Sequence, residues 1–236
     1  MAHRRAVTVG KARDKSAKPG KAEQTLQTRA RVLQSALDLF NERGSAAVTT
    51  HHVAEKAGIS PGNLYYHFKN KEEIIRELFH QIEVYDEKYW SQKGPMNPEG
   101  SFLKFLDFFF GSVWKYRFFF KEFSQLINND ETLRQAWQRA FLDLLSVMRT
   151  AAHFWIEAKM MREFESEEAV DAFIKNCWII LNFGSSFVDI KNGKSSRQSS
   201  QQIARLLHHF LYPYHTPKGQ AELDNYLRSM LKKTRL

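Results

Sequence analysis

Between Gly62 and Lys71 the chain sets out a dense run of hydrogen-bonding side chains: Asn63, Tyr65, Tyr66, His67, Lys69 and Lys71. An asparagine amide can pair with a base edge, and tyrosine hydroxyls and an imidazole can donate to phosphate oxygens while adding little net charge. The two lysines supply the charge. Gly62, at the front of the run, permits close approach to a duplex. Leu64 and Phe68, four residues apart, share one side of a helix and turn inward, which leaves the polar residues outward. The chemistry these residues suit is recognition of phosphates and base edges.

Such a face needs a second element to hold it. Upstream, Thr49 or Thr50 can cap a short helix with Val53, Ala54 and Ala57 on one side. Gly58 ends that helix, because the residue past a helix end usually adopts positive φ, where glycine meets no steric cost. Ile59 fills the corner. Ser60 and Pro61 restart a helix at once, the serine as N-cap and the proline in the first turn, where its missing N–H is not needed. Two helices joined by about three to four residues form a helix-turn-helix, whose second helix enters the major groove. A helical hairpin buried in a protein core is the alternative, and it leaves the outward Tyr65, Tyr66 and His67 unexplained. His51, beside Thr50 at the start of the first helix, joins the candidates.

The flanks extend the pattern. A helix over 29–43 carries Leu33, Ala36, Leu37 and Phe40 and runs into Gly44; after the motif comes Asn70-Lys71-Glu72-Glu73-Ile74-Ile75. This block, residues 25–87, resembles the DNA-binding domain of the tetracycline-repressor (TetR) family. The resemblance implies an all-α homodimeric repressor with an N-terminal three-helix DNA-binding domain and a C-terminal ligand-binding and dimerisation domain. It implies a palindromic double-stranded operator and a small-molecule effector of unidentified structure. Carried over residue by residue, Thr50, Ser60, Gly62, Asn63, Tyr65, Tyr66, His67 and Lys71 match positions such proteins use on DNA. The segment 116–120 with the turn Leu126-Ile127-Asn128-Asn129-Asp130 also resembles one branch of the family. The expected organisation is a disordered basic arm over 1–24, the helix-turn-helix domain over 25–72 and the second domain over 73–236. A helix over 71–90 joins them as the lever.

The formal net charge of +9 and pI near 9.6 favour an anionic partner. Residues 1–24 carry seven basic side chains against two acidic ones and no apolar face, hence the expectation of a disordered arm that reaches phosphates or stays solvated. No apolar region follows Arg4 and Arg5, and the apolar run 108–114 falls short of the roughly 20 residues a membrane span needs. A cytoplasmic protein with no membrane partner is expected. The single cysteine, Cys177, excludes an internal disulfide; its neighbours Phe173, Ile174, Trp178 and Leu181 point to a buried structural thiol, with a redox sensor as the alternative.

The remaining two thirds are helical in pattern and rich in rings. Phe105, Phe109, Trp114, Phe119, Phe123, Trp137, Phe141, Trp155 and Trp178 are the candidate lining of a pocket for an apolar or acyl-type effector, or else ordinary core at helical spacing. Lys104, Arg117, Arg134, Lys159 and Arg162 are candidate partners for an acidic head group. Phe173, Ile180, Phe183 and Phe187, with Leu207 and Phe210 from the next helix, are the candidate faces of a four-helix dimer interface. A last helix, 219–236, packs on that bundle or swaps between subunits.

An enzyme fares badly. The chain has no phosphate-cradling glycine loop and no nucleophile elbow, hence no candidate catalytic residue, and no cofactor is implied. His51-His52 and His208-His209 are adjacent pairs that diverge by about 100° on a helix and cannot clamp one metal from one face, so no metal site is expected. The rival reading is a DNA-bound architectural or interaction protein of the same fold without a small-molecule effector.

Overall fold

In a computed structural model the described residues, 20–91, 109–192 and 197–233, form α-helices and one 3-10 turn, with no strand among them. The N-terminal domain comprises α1 (Lys21–Arg43), α2 (Thr50–Ala57) and α3 (Pro61–His67). Val32, Leu33, Ala36, Leu37 and Phe40 of α1 lie on one buried stripe and meet Val53, Ala54 and Ala57 of α2 and Leu64 of α3 in a common core. Because α1 begins at Lys21, residues 21–24 of the expected arm are helical; residues 1–19 lie outside the described residues.

From this domain α4 (Lys71–Ser91) leads away, burying Ile74, Ile75, Leu78, Phe79 and Ile82 at i, i+4 and i+8 spacings that match a helix face. The C-terminal domain comprises α5 (residues 109–115), α6 (Arg117–Asn129), α7 (Glu131–Glu157), α8 (Glu167–Asn192), α9 (Arg197–Leu211) and α10 (Pro217–Lys233). Asp130 separates α6 from α7 and caps the latter, accepting from the Leu133 N–H at 3.0 Å, while its other oxygen takes Arg76 of α4 at 2.6 Å. Helices α8 and α9 approach so closely that a Cβ on Gly184 would lie 3.1 Å from Ile203 Cγ2. At the far end, the α7–α8 and α9–α10 connections are tied together. Arg162 N–H donates to the Tyr214 carbonyl at 2.8 Å and the Thr216 hydroxyl to the Lys159 carbonyl at 2.7 Å.

The described rings among the candidate pocket lining contact one another. Phe79 of α4 stacks on Phe119 at 5.3 Å, Phe119 meets Trp137 at 5.4 Å, and Phe123 meets Trp137 at 4.6 Å. Phe183 extends the group toward Trp178, which in turn contacts Phe141 at 4.8 Å. Phe109 contacts Phe110 and Phe120, Trp114 carries the Arg117 guanidinium at 4.7 Å, and Trp155 is buried. Phe105 and Lys104, with the loop expected near Gly94, lie outside the described residues. A narrow crevice of about 10 Å³ lies elsewhere, lined among others by Phe110, Leu207, His208 and Tyr226. The other expected head-group partners are engaged too: Arg134 with Glu131, Lys159 with Glu163, and Arg162 with the His215 carbonyl.

Two residues expected at a dimer interface face the chain's own core. Phe173 is buried, stacked on Phe210 at 5.6 Å and against Phe164 and Tyr214, and Leu207 is buried beside Ile203 and Leu211 in the same core cluster. The helical repeat puts Phe173 on the same side as Ile174, Cys177 and Leu181, and that whole side is covered. Ile180 and Phe210 are half-buried. Phe183 and Phe187 do face outward, and they are joined by Ile179 and Ile190 on α8 and Leu206 on α9. Cys177 is buried, and burial pushes its thiol up to about 12, so it is not a thiolate at neutral pH.

Candidate nucleic-acid interface

The helix-turn-helix is held by short local bonds. Thr49 caps α2: its hydroxyl accepts from the His52 N–H, and the His52 ring nitrogen Nδ1 accepts from the Thr49 N–H, both at 3.3 Å. His52 is therefore half of a capping box, a role its sequence position beside His51 did not reveal, because the box usually carries Glu or Gln there. Gly58 closes α2 with φ 66° and ψ 38°, the left-handed conformation that favours glycine. Ser60 caps α3 by accepting from the Asn63 N–H at 3.2 Å, and Pro61 follows in the first turn. Leu64 and Phe68 are fully buried and anchor the helix, and Ile59 packs against the same core.

What remains outward is Gly62, Asn63, Tyr65 and Tyr66, with Tyr65 53% and Tyr66 76% exposed. Thr50 of α2 and Tyr65 of α3 share a hydrogen bond between hydroxyls at 3.0 Å, so the Tyr65 ring is pinned across the two helices rather than free to turn. A Cβ on Gly62 would meet nothing within 4 Å, so the fold itself does not require glycine there. The requirement would come from a closely approaching partner. His51 is exposed at the start of α2, and Lys69 is exposed just beyond α3.

His67 and Lys71 differ from the rest. Burial first, and then the Arg29 charge, hold the His67 imidazole below its usual pKa, so near neutral pH it is a hydrogen-bonding ring and not a cation. The Lys71 ammonium donates to the carbonyls of Ser45 at 2.7 Å and Val48 at 3.1 Å. Two of its three N–H groups are thus spent on the α1–α2 connection, and one is left for a phosphate. The sequence showed a lysine past a helix end; it did not show the carbonyls folded back over it.

Among the described residues no group of His, Cys, Asp and Glu could hold a metal ion, and no helix is long and apolar enough to cross a membrane. The arrangement is one of hydrogen-bond donors on a short helix, held rigidly and facing out.

Residues 32–78 match the family model described as bacterial regulatory proteins, tetR family, and residues 89–223, more than half of the chain, match the TetR model described as a bacterial transcriptional repressor. The chain belongs to the TetR family. Members of this family are transcriptional regulators and not enzymes, in keeping with the lack of any catalytic motif. Among curated relatives, the TetR-type chain is similar to the HTH-type transcriptional repressor KstR2 of Mycolicibacterium smegmatis, 40% identical over 60 residues, which is 25% of this chain and 29% of the relative. The chain thus spans about three tenths of the length of the curated relatives it matches. Among solved structures it is similar to a TetR-family transcriptional regulator from Marinobacter aquaeolei VT8, with a TM-score of 0.75 and 28% identity over 86% of this chain and 98% of that one. A transcriptional regulator from Saccharomonospora viridis in complex with choline shares the TetR fold at a TM-score of 0.64 and 16% identity, over 81% of this chain and 99% of that one.

Proposed function

We propose that this TetR-family protein is a cytoplasmic, sequence-specific DNA-binding repressor that acts as a homodimer on a palindromic operator. The observation that carries this reading is the outward face of α3, where Gly62, Asn63, Tyr66 and the pinned Tyr65 stand clear of the core. In a two-fold dimer two such helices would reach successive major grooves about 34 Å apart. The exposed apolar side chains of α8 and α9 support a second copy on that face, because Phe187 at 62% and Ile190 at 86% exposure are costly to leave in water. The basic residues of 1–24 would add phosphate contacts beside the helix-turn-helix.

Release would follow if an apolar or acyl-type ligand opened the packed rings around Phe119, Phe123 and Trp137 and preferred a different placement of the two α3 helices. Because those rings contact one another, a second reading is supported as well: a regulator of the same fold without a small-molecule effector. Native mass spectrometry of the purified protein, before and after adding duplexes from upstream of its own gene, tests them. A dimer whose co-purified small molecule leaves when DNA binds supports the ligand-controlled repressor. A ligand-free dimer that binds DNA supports a DNA-binding regulator under either reading, and a species that binds no such duplex supports an interaction protein of the same fold instead.

A further inference from the structure

The recognition helix α3 has only seven residues, too few to hold its own shape in water. Its first turn is capped by Ser60 and the Leu64 carbonyl accepts from the Phe68 N–H at 2.9 Å, but the carbonyls beyond Leu64 have no donor within α3. One of them, the His67 carbonyl, accepts a hydrogen bond from Arg29 Nη1 at 2.7 Å. The same guanidinium lies over the Phe68 ring, 4.3 Å from its centroid, and its other amino group is 3.4 Å from Glu77 Oε2 on α4. A single planar group therefore joins α1, the end of α3 and α4.

We infer that Arg29 is a positioning residue for DNA recognition: it fixes the C-terminal end of α3, and through it the angle at which Asn63, Tyr65 and Tyr66 meet a duplex, without touching phosphate itself. Each of its terminal amino groups already bonds a protein acceptor and the guanidinium lies over the Phe68 ring, so the fold itself sets its position. A positive group at a helix C-terminus also favours the helix electrostatically. Only a guanidinium fits, since a lysine ammonium is a point charge that cannot bond two acceptors in a fork while lying flat on a ring. The sequence shows Arg29 merely as one of several basic residues on α1.

This inference rests on the DNA-binding reading for its consequence, but its structural half is readable without DNA. The test uses wild type, Arg29→Lys and Arg29→Gln as full chains, with amide hydrogen exchange on each and binding to a duplex that the wild type enriches from a random library, over a salt series. Expected are faster exchange at residues 64–68 in both variants with α1 and α4 still protected, and affinity weaker by about tenfold or more at an unchanged log–log salt slope. The His67 imidazole should titrate closer to its usual value in Arg29→Gln but not in Arg29→Lys, where the positive charge stays. A slope reduced by about 0.9 would make Arg29 a phosphate ligand and overturn the inference. Wild-type exchange rates in both variants would overturn it as well, even if the wild type enriches no duplex, an outcome that would separately contradict the DNA-binding reading.

Discussion

The Glu122 carboxylate of α6 accepts the Ser45 backbone N–H at 2.9 and 3.1 Å and also the Ser45 hydroxyl, so a helix of the C-terminal domain grips the turn between α1 and α2. A few residues earlier Asn41 of α1 donates to the Lys115 carbonyl at 2.8 Å and accepts from the Phe118 N–H at 3.1 Å. Helix α6 thus carries Phe119 and Phe123 toward the ring cluster and Glu122 toward the helix-turn-helix. The resemblance to the family implies a lever in the helix over 71–90. The structure adds a second connection, from α6 to α1, which no residue spacing could have announced because the partners are 77 positions apart.

Removing this grip has a measurable cost. Glu122→Ala leaves a buried Ser45 N–H and hydroxyl without their acceptor and should lower stability by about 1–3 kcal/mol in thermal melts. Gly44 has φ 81°, and a Cβ there would lie 2.8 Å from Glu122 Oε1. Gly44→Ala should therefore destabilise the wild type more than it destabilises Glu122→Ala, and equal losses in the two backgrounds would mean that the carboxylate is not held against the turn.

Tyr65 and Lys71 should separate a binding residue from a structural one. Tyr65→Ala should weaken DNA binding with an unchanged melting temperature and helical circular-dichroism signal. Lys71→Ala should weaken binding and also reduce stability by about 1–3 kcal/mol, because the Ser45 and Val48 carbonyls lose a charged donor. A Lys71 variant with unaltered stability would return that residue to the role of a free phosphate contact.

The outward face of α8 predicts an association defect. Phe187→Glu combined with Ile190→Glu places two charges among Ile179, Phe183 and Leu206 while leaving the buried side of α8 intact. Sedimentation velocity should show a dimeric wild type and a monomeric, still helical variant. A variant that sediments like the wild type would put the interface elsewhere.

His215 predicts an acid limb in the stability curve. Burial holds its pKa below 6.5; the Leu211 carbonyl, which accepts from Nδ1 at 2.8 Å, partly offsets this, and nearby His208 adds to it. The folded protein then binds fewer protons than the unfolded chain, so stability is fully present above about pH 6.5 and is lost as the pH falls toward the folded value. His215→Asn should flatten this limb in melts between pH 7 and pH 5. An unchanged limb would assign it to other groups.

Much of the N-terminal domain was legible because its signals are local. Gly58, Ser60 and Pro61 act through neighbours within four residues, and a periodicity of 3.6 shows which side of α3 turns Leu64 and Phe68 inward. The rings of the second half were ambiguous for the opposite reason. Nothing in their spacing distinguishes Phe119, which packs on Phe79 and Trp137, from a ring that lines an open space. Phe173 is an interface candidate by spacing because α8 is apolar on more than one side, and only the positions of α9 and the Tyr214 turn decide that its side is the covered one. Ile179 and Ile190 face outward on the same account, beyond the residues that spacing marks for the interface.

The central claim is that the outward face of α3 reads a duplex. Repeated selection of bound duplexes from a random library, with wild type and with the Asn63→Ala, Tyr65→Ala double variant, tests it most directly. The account predicts that the wild type enriches a two-fold symmetric sequence whose half-sites sit about one helical turn apart, and that the variant enriches none. A wild type that leaves the library at its starting composition, or a variant that enriches the same sequence equally well, would contradict it.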